Sequence, residues 1–232
     1  KRDQQLLAQE KGYCRKAWGD KLTVCLAYPN AYRIGMANLG YQAVYSLLND
    51  LPFCLCERVF FSPPGEGDAP RGKGPVSLES QKPLKEFDII AFSIPFENDY
   101  PHVLALLAGA GISLQASLRK DFEPLVMAGG IAVTLNPEPL SSFIDLFLIG
   151  EAEEALPELA ALYREALIQG PDRRELLFDV QRRVPGVYVP QLYSVSYRPD
   201  GTLEDVQPVD SSLPRKIRRR WEKDLSAFRT DQ

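Results

Sequence analysis

The chain has 232 residues, 45% of them hydrophobic, and a formal net charge of −4. No apolar run approaches the roughly 20 residues that a bilayer span needs, and the net negative charge argues against a molecule that binds polyanions as a whole. What remains is one sizeable core with a small extra piece. The first residues, Lys1-Arg2-Asp3-Gln4-Gln5, lack the apolar segment of a secretory leader. Cys14, Cys25, Cys54 and Cys56 form no C-x-x-C pair, and the expectation is four reduced thiols in a cytoplasmic protein.

In chain order, residues 1–21 read as a polar lead-in with a short helix around 4–11, packed down by Tyr13 and Trp18. Residues 22–28 (L-T-V-C-L-A-Y) are a strand buried on both faces. Pro29-Asn30 ends it. A helix is expected from about Met36, with Met36, Leu39, Gly40, Ala43, Val44, Leu47 and Leu48 as its buried stripe. A second strand spans 53–61 and completes a right-handed βαβ unit. Residues 62–82 carry eight Pro or Gly between 63 and 75 and read as a loop, the expected disordered insert.

The third strand is 88–94. A helix follows, N-capped by Asp99 with Pro101 in its first turn, buried through Val103, Leu106, Leu107 and Ala110, and stopped at Gly111. A small apolar element covers 112–118. Residues 125–128 are the fourth strand, 136–140 a single helical turn, and 145–149 the fifth strand. Residues 151–169 form the last long helix, buried through Leu156, Leu159, Ala160, Tyr163 and Leu167, with Glu151, Glu153 and Glu154 at its positive end. Beyond Gly170-Pro171 come a charged helix (172–183), a strand (187–197), a Pro199-Asp200-Gly201-Thr202 turn and a partner strand (203–209). The run 215–223 is basic and holds Trp221.

Three near-continuous apolar runs, each ending in glycine, proline or acid, suit a parallel sheet covered on both faces. In such sheets ligands bind outside the carboxyl ends of the strands. Gly129, Gly130 and Gly150 fall there, and each is also the residue a tight turn would use. No G-x-G-x-x-G follows the first strand and no G-x-x-x-x-G-K-[ST] occurs, which argues against the usual dinucleotide and triphosphate sites. His102, the single histidine, has no clustered ligands in sequence and reads as a surface or packing residue. Cys54 and Cys56 share a strand face, but two thiols do not make a metal site. Capping accounts for Asp99 and the 151–154 acids. Glu97 and Glu138 stay open as ligand contacts.

Taken together, residues 87–93 (F-D-I-I-A-F-S), 126–130 (V-M-A-G-G), 136–140 (N-P-E-P-L) and 145–156 (D-L-F-L-I-G-E-A-E-E-A-L) resemble the cobalamin-binding-like N-terminal domain of radical S-adenosylmethionine (radical SAM) proteins. Residues 28–48 and 185–190 (P-G-V-Y-V-P) are similar to an uncharacterised, widely distributed branch of them. The resemblance implies an α/β, flavodoxin-like (Rossmann-like), doubly wound parallel sheet of five strands in the order 2-1-3-4-5, followed by a C-terminal β-hairpin. It implies a lead-in (1–21), an α/β domain (22–170) and a helix, hairpin and basic linker (171–232) toward a radical SAM barrel. That barrel would hold a 4Fe-4S cluster and S-adenosylmethionine through C-x-x-x-C-x-x-C. The cysteines here do not have that spacing, so the expectation is a non-catalytic piece whose parent is the enzyme.

Cobalamin domains with a protein lower ligand carry D-x-H-x-x-G after the first strand. Here Asn30-Ala31-Tyr32-Arg33-Ile34-Gly35 stands at that place. The glycine spacing survives, but a phenol titrating near about 10 replaces imidazole. The resemblance thus nominates Asn30, Tyr32, Arg33 and Gly35, then Ser93, Phe96, Glu97 and Asn98, then Gly129, Gly130, Thr134 and Glu138, then Gly150 and Glu151. The leading expectation is an accessory domain that docks on the barrel or substrate by this edge, with the cofactor lost. The alternative is a working cobalamin site. A second alternative is RNA contact through 215–223.

Overall fold

The computed structural model describes residues 2–62, 74–170 and 172–221, with side chains from residue 5 onward. Most of the 62–82 loop and the end of the basic run therefore lie outside the described residues. The elements are α1 (Arg2–Gln9), β1 (Leu22–Tyr28), α2 (Tyr32–Met36), α3 (Leu39–Asp50), β2 (Cys54–Phe60), β3 (Ile89–Ser93), α4 (Tyr100–Gly109), β4 (Leu125–Gly129), α5 (Ile131–Leu135), β5 (Leu146–Leu148), α6 (Ala155–Gln169), α7 (Arg173–Arg183), β6 (Val187–Tyr188), β7 (Tyr193–Tyr197) and β8 (Leu203–Pro208), with short 3-10 turns between. Strand order is β2-β1-β3-β4-β5-β6. The first five strands are parallel, as the flavodoxin-like reading requires, and β6 adds antiparallel to β5.

Two apolar layers sandwich the sheet. Leu22, Val24, Leu26 and Tyr28 of β1 face α3, α6 and α7, while Cys25 and Ala27 face the layer of α4 and α5. Each β1 residue is buried, which is why the strand reads as a continuous apolar run rather than an alternation. Leu177, Val180, Val187 and Leu192 join the first layer, so α7 and β6 share the main core.

Four local readings change. The helix expected from Met36 is two helices: Asn38 is extended, and its side chain accepts from Tyr41 N at 2.9 Å to cap α3. The buried stripe of α3 is Tyr41, Tyr45 and Leu48, while Leu39 and Gly40 are exposed. Tyrosine sets this phase because each hydroxyl finds a backbone partner, Leu26 O for Tyr41 at 3.0 Å and Cys14 N for Tyr45 at 2.9 Å. The strand expected over 187–197 breaks at Pro190, which opens a 3-10 turn and cannot donate to a ladder. Only its second part pairs with β8 as the hairpin. Leu167 of α6 is exposed rather than buried, near the helix end.

Two buried charge clusters hold the layers. Arg58 on β2 pairs with Glu79 (2.6 Å) and with Glu10 from the lead-in (2.7 Å), and Leu78 N donates to Arg58 O. The edge of β2 is thereby covered rather than left as an open pairing edge. Asp145, fully buried just before β5, faces Arg119 at 2.8 Å and Arg173 at 3.0 Å and accepts from Val126 N. Arg119 also donates to the carbonyls of Ser113, Leu114 and Phe143. Removing the carboxylate strands two guanidiniums, so Asp145→Ala should lower stability by about 3–5 kcal/mol in urea unfolding.

Cys25, Cys54 and Cys56 are buried and free. Burial pushes their thiols up, Cys54 to about 12. A thiol-disulfide reagent at pH 8 should therefore modify only half-buried Cys14 in the native chain and reach all four after unfolding.

Candidate functional site

Parallel strands bring the loops after β1, β3, β4 and β5 to one rim, and this places all the nominated residues along it. Asn30 follows β1. Its Nδ2 donates to Asp99 Oδ1 at 2.8 Å, and its own Oδ1 accepts from Ala31 N. Asp99 is 2% exposed and makes no capping bond to α4. The capping role expected for it is replaced by this cross-link, which joins the β1 and β3 loops where the strand order reverses. Asp99 Oδ2 has no hydrogen-bond partner among the described residues. His102 lies beside it. Its Nδ1 donates to Pro29 O at 2.8 Å and is 3.6 Å from Asp99, and its ring stacks on Phe61 at 4.1 Å. The packing role expected for His102 is what the geometry shows.

Tyr32 turns away from the neighbouring loops. Its hydroxyl donates to Glu10 and its ring packs edge-on against Phe60 at 5.1 Å. Burial, then the Glu10 carboxylate, push its phenol well above the usual range. Arg33 points to solvent. Gly35 is buried beneath aromatic rings: a Cβ there would lie 2.5 Å from Phe60 and 3.0 Å from Tyr28. The glycine that completes the motif-like spacing is thus required by ring packing.

Ser93 is half-buried and in register with Gly129. Phe96, Glu97 and Asn98 are exposed. Gly129 has ordinary space around it, whereas Gly130 has φ +106° and a Cβ there would meet Ile94 O at 2.6 Å. Ile94 N donates to Gly129 O and Ala132 N to Ile94 O. The β3 and β4 loops therefore touch backbone to backbone, a contact only glycine admits.

Thr134 Oγ1 accepts from Gly150 N at 3.3 Å. Glu138 accepts from the Tyr188 hydroxyl at 2.8 Å, tying the 136–140 turn to β6. Gly150 has φ +114°, and a Cβ there would collide with the backbone of Arg220. Arg220 N donates to Ile149 O at 2.9 Å, and Glu151 N donates to Arg220 O at 3.3 Å. The acids at the start of α6 face this basic segment instead of capping the helix: Arg220 pairs with Glu154 (2.6 Å) and Glu158 (2.8 Å), and Arg219 lies 3.8 Å from Glu151.

Sequence reasoning missed the participation of Glu10, Asp99 and Arg220. The D-x-x-H spacing of Asp99 and His102, one helical turn, was the single visible hint. The rim also exposes large apolar side chains: Ile34 of α2, Leu39 at the start of α3, Phe96, Ile131 and Leu135 of α5, and Trp221, with Leu135 73% exposed. A cleft of about 400 Å³ lies at the opposite edge, lined by Arg119, Asp121, Arg173 and Gln191 among others. No group of three or more His, Cys, Asp or Glu side chains among the described residues is arranged to hold a metal ion. No helix among them is long and apolar enough to cross a membrane.

The curated relative MJ0966 of Methanocaldococcus jannaschii, an uncharacterized protein, is 28% identical over 162 residues, which are 69% of this chain and 31% of that protein. The chain spans about a third of that relative's length. Two structures of TsrM from Kitasatospora setae, a radical S-adenosylmethionine methyltransferase, are 15% identical to it. The one with tryptophan substrate and an S-adenosylmethionine analogue covers 78% of this chain and 29% of its own, at a TM-score of 0.42. The one with cobalamin and a 4Fe-4S cluster covers 86% and 31%, at 0.44. The family profile described as the N-terminal region of radical SAM proteins matches residues 40–190, from α3 through β6. The chain belongs to that family: it is an N-terminal region of a radical SAM protein.

Proposed function

We propose that this chain is a non-catalytic accessory domain, and that its rim docks on the iron–sulfur domain or on that domain's substrate. The observation that carries the reading is the row of exposed apolar side chains along the rim, where Phe96 from the loop after β3 and Ile131 and Leu135 from α5 lie on segments joined through Ile94 and Ala132. Apolar residues grouped on one edge mark an interaction surface. Across that edge the cluster and S-adenosylmethionine would belong to the partner domain. The nucleic-acid alternative is disfavoured because Arg219 and Arg220 already face Glu151, Glu154 and Glu158.

A cobalamin seat at this edge fits less well. A corrin and its tail need open backbone at the strand ends, and three of the glycines that would supply it, Gly35, Gly130 and Gly150, lie against Phe60, Ile94 and Arg220. Tyr32, in the place of an imidazole, is bonded to Glu10. No step is therefore assigned to the cofactor in this domain.

Three outcomes follow. Gly130→Ala should cost about 1–3 kcal/mol in thermal or urea unfolding, because it forces a strained backbone against Ile94. Hydroxocobalamin in large excess should leave the visible spectrum and the melting temperature of the chain unchanged. A bound ligand at a hundredfold its Kd would instead add about 2.7 kcal/mol, which would favour the cofactor reading. Phe96→Glu with Leu135→Glu should weaken association with the separately expressed iron–sulfur domain by roughly tenfold or more. Unchanged binding would contradict the docking reading.

A further inference from the structure

The stretch 213–221 is not laid out like a free linker. Leu213 is 4% exposed and packs in one core layer, and Ile217 packs against the other. Further on, the backbone of Arg220 forms a parallel bridge with Gly150. Its N–H donates to Ile149 O, and its carbonyl accepts from Glu151 N. Gly150 permits this approach by having no Cβ, and a Cβ on Gly186 would lie 3.2 Å from the Arg220 Cβ. The Arg220 side chain is only 17% exposed and reaches Glu154, just before α6, and Glu158 in its first turn. The Arg219 guanidinium lies over the Trp221 ring at 3.9 Å.

We propose that residues 217–221 are a docked strap: a slot formed by Gly150, Gly186 and the first turns of α6 binds an extended, arginine-bearing segment of the same chain and fixes the direction in which the chain leaves the rim. The slot has the two elements of strand-addition recognition, a backbone bridge for affinity and a side-chain clamp for selectivity. Its chemistry selects an extended peptide with a guanidinium directed at paired carboxylates, a geometry that a lysine ammonium reproduces poorly. The direction matters because Trp221 is exposed on the same rim as Leu135 and Ile131. A fixed exit holds whatever follows over those residues at high effective concentration. This last consequence rests on the docking reading. The strap itself does not, and it is tested on the chain alone.

The test is limited trypsin digestion followed by mass spectrometry, scoring cleavage after Arg219 and Arg220 against cleavage after Arg198 in the hairpin turn. Arg198 serves as the internal measure of an exposed site. In the native chain at low salt, cleavage after Arg219 and Arg220 should be at least tenfold slower than after Arg198. In Glu154→Gln/Glu158→Gln, or at about 0.5 M salt where surface charges are screened, it should rise several-fold while the circular dichroism spectrum stays native. Hydrogen exchange supplies a second reading: the Arg220 and Glu151 amides should lose protection in the double variant and the β4 amides should not. Cleavage at Arg220 as fast as at Arg198 in the native chain would overturn the strap. So would protection that the double variant and salt both leave unchanged. If the strap is confirmed while the iron–sulfur domain fails to bind, only the docking reading falls.

Discussion

At the carboxyl ends of β4 and β5, the absence of two Cβ atoms lets one stretch of backbone lie directly against another. Gly130 admits the Ile94 carbonyl and Gly150 admits Arg220. Peptide groups that would otherwise be exposed at these strand ends are paired within the chain, as buried polar backbone requires. The β3, β4 and β5 loops consequently form one continuous surface. Small residues in a row and short loops read in sequence as an opening for a ligand. In three dimensions the same features are what let the chain close upon itself.

The side-chain chemistry around the rim works in the same direction. Asn30 and Asp99 join the loops across the point where strand order reverses, and His102 holds Pro29 O while lying flat on Phe61. Tyr32 is drawn to Glu10, which also neutralises buried Arg58. The lead-in is therefore part of the packing of the β1 side, and the basic segment is part of the packing of the β5 side. What stays uncovered includes Ile34, Phe96, Ile131 and Leu135 beside the polar Arg33, Glu97 and Asn98, and apolar residues flanked by charge have the makeup of an interface core with its surround.

Of the five parallel strands, β1, β3, β4 and β5 were legible because each is buried on both faces and appears as a near-continuous apolar run, whereas β2 carries the buried Glu57 and Arg58. β6 was not, because two residues carry no period, and only the break at Pro190 separates them from the hairpin. The α3 stripe was misphased because the reading favoured aliphatic positions, whereas Tyr41 and Tyr45 are buried through hydroxyls whose partners are distant in sequence. The rim residues were correctly gathered on one edge, since strand direction alone fixes that. Their partners were not foreseeable: Glu10 and Tyr32 are 22 positions apart, and Arg220 and Glu154 are 66. Local pattern carries no information about such contacts. Asp99 shows the same limit, because an acid before a helix reads as a cap unless its neighbour across the sheet is known.

The central claim is that the rim is closed within the chain and presents its apolar residues to another domain. Hydrogen exchange tests this most directly, compared between this chain alone and the chain joined to the proposed iron–sulfur domain. The account predicts that residues 94–98 and 131–135 exchange readily in the chain alone and become protected in the joined chain, with no cobalamin added. Equal exchange of those segments in both, or protection that appears only when cobalamin is supplied, would contradict it.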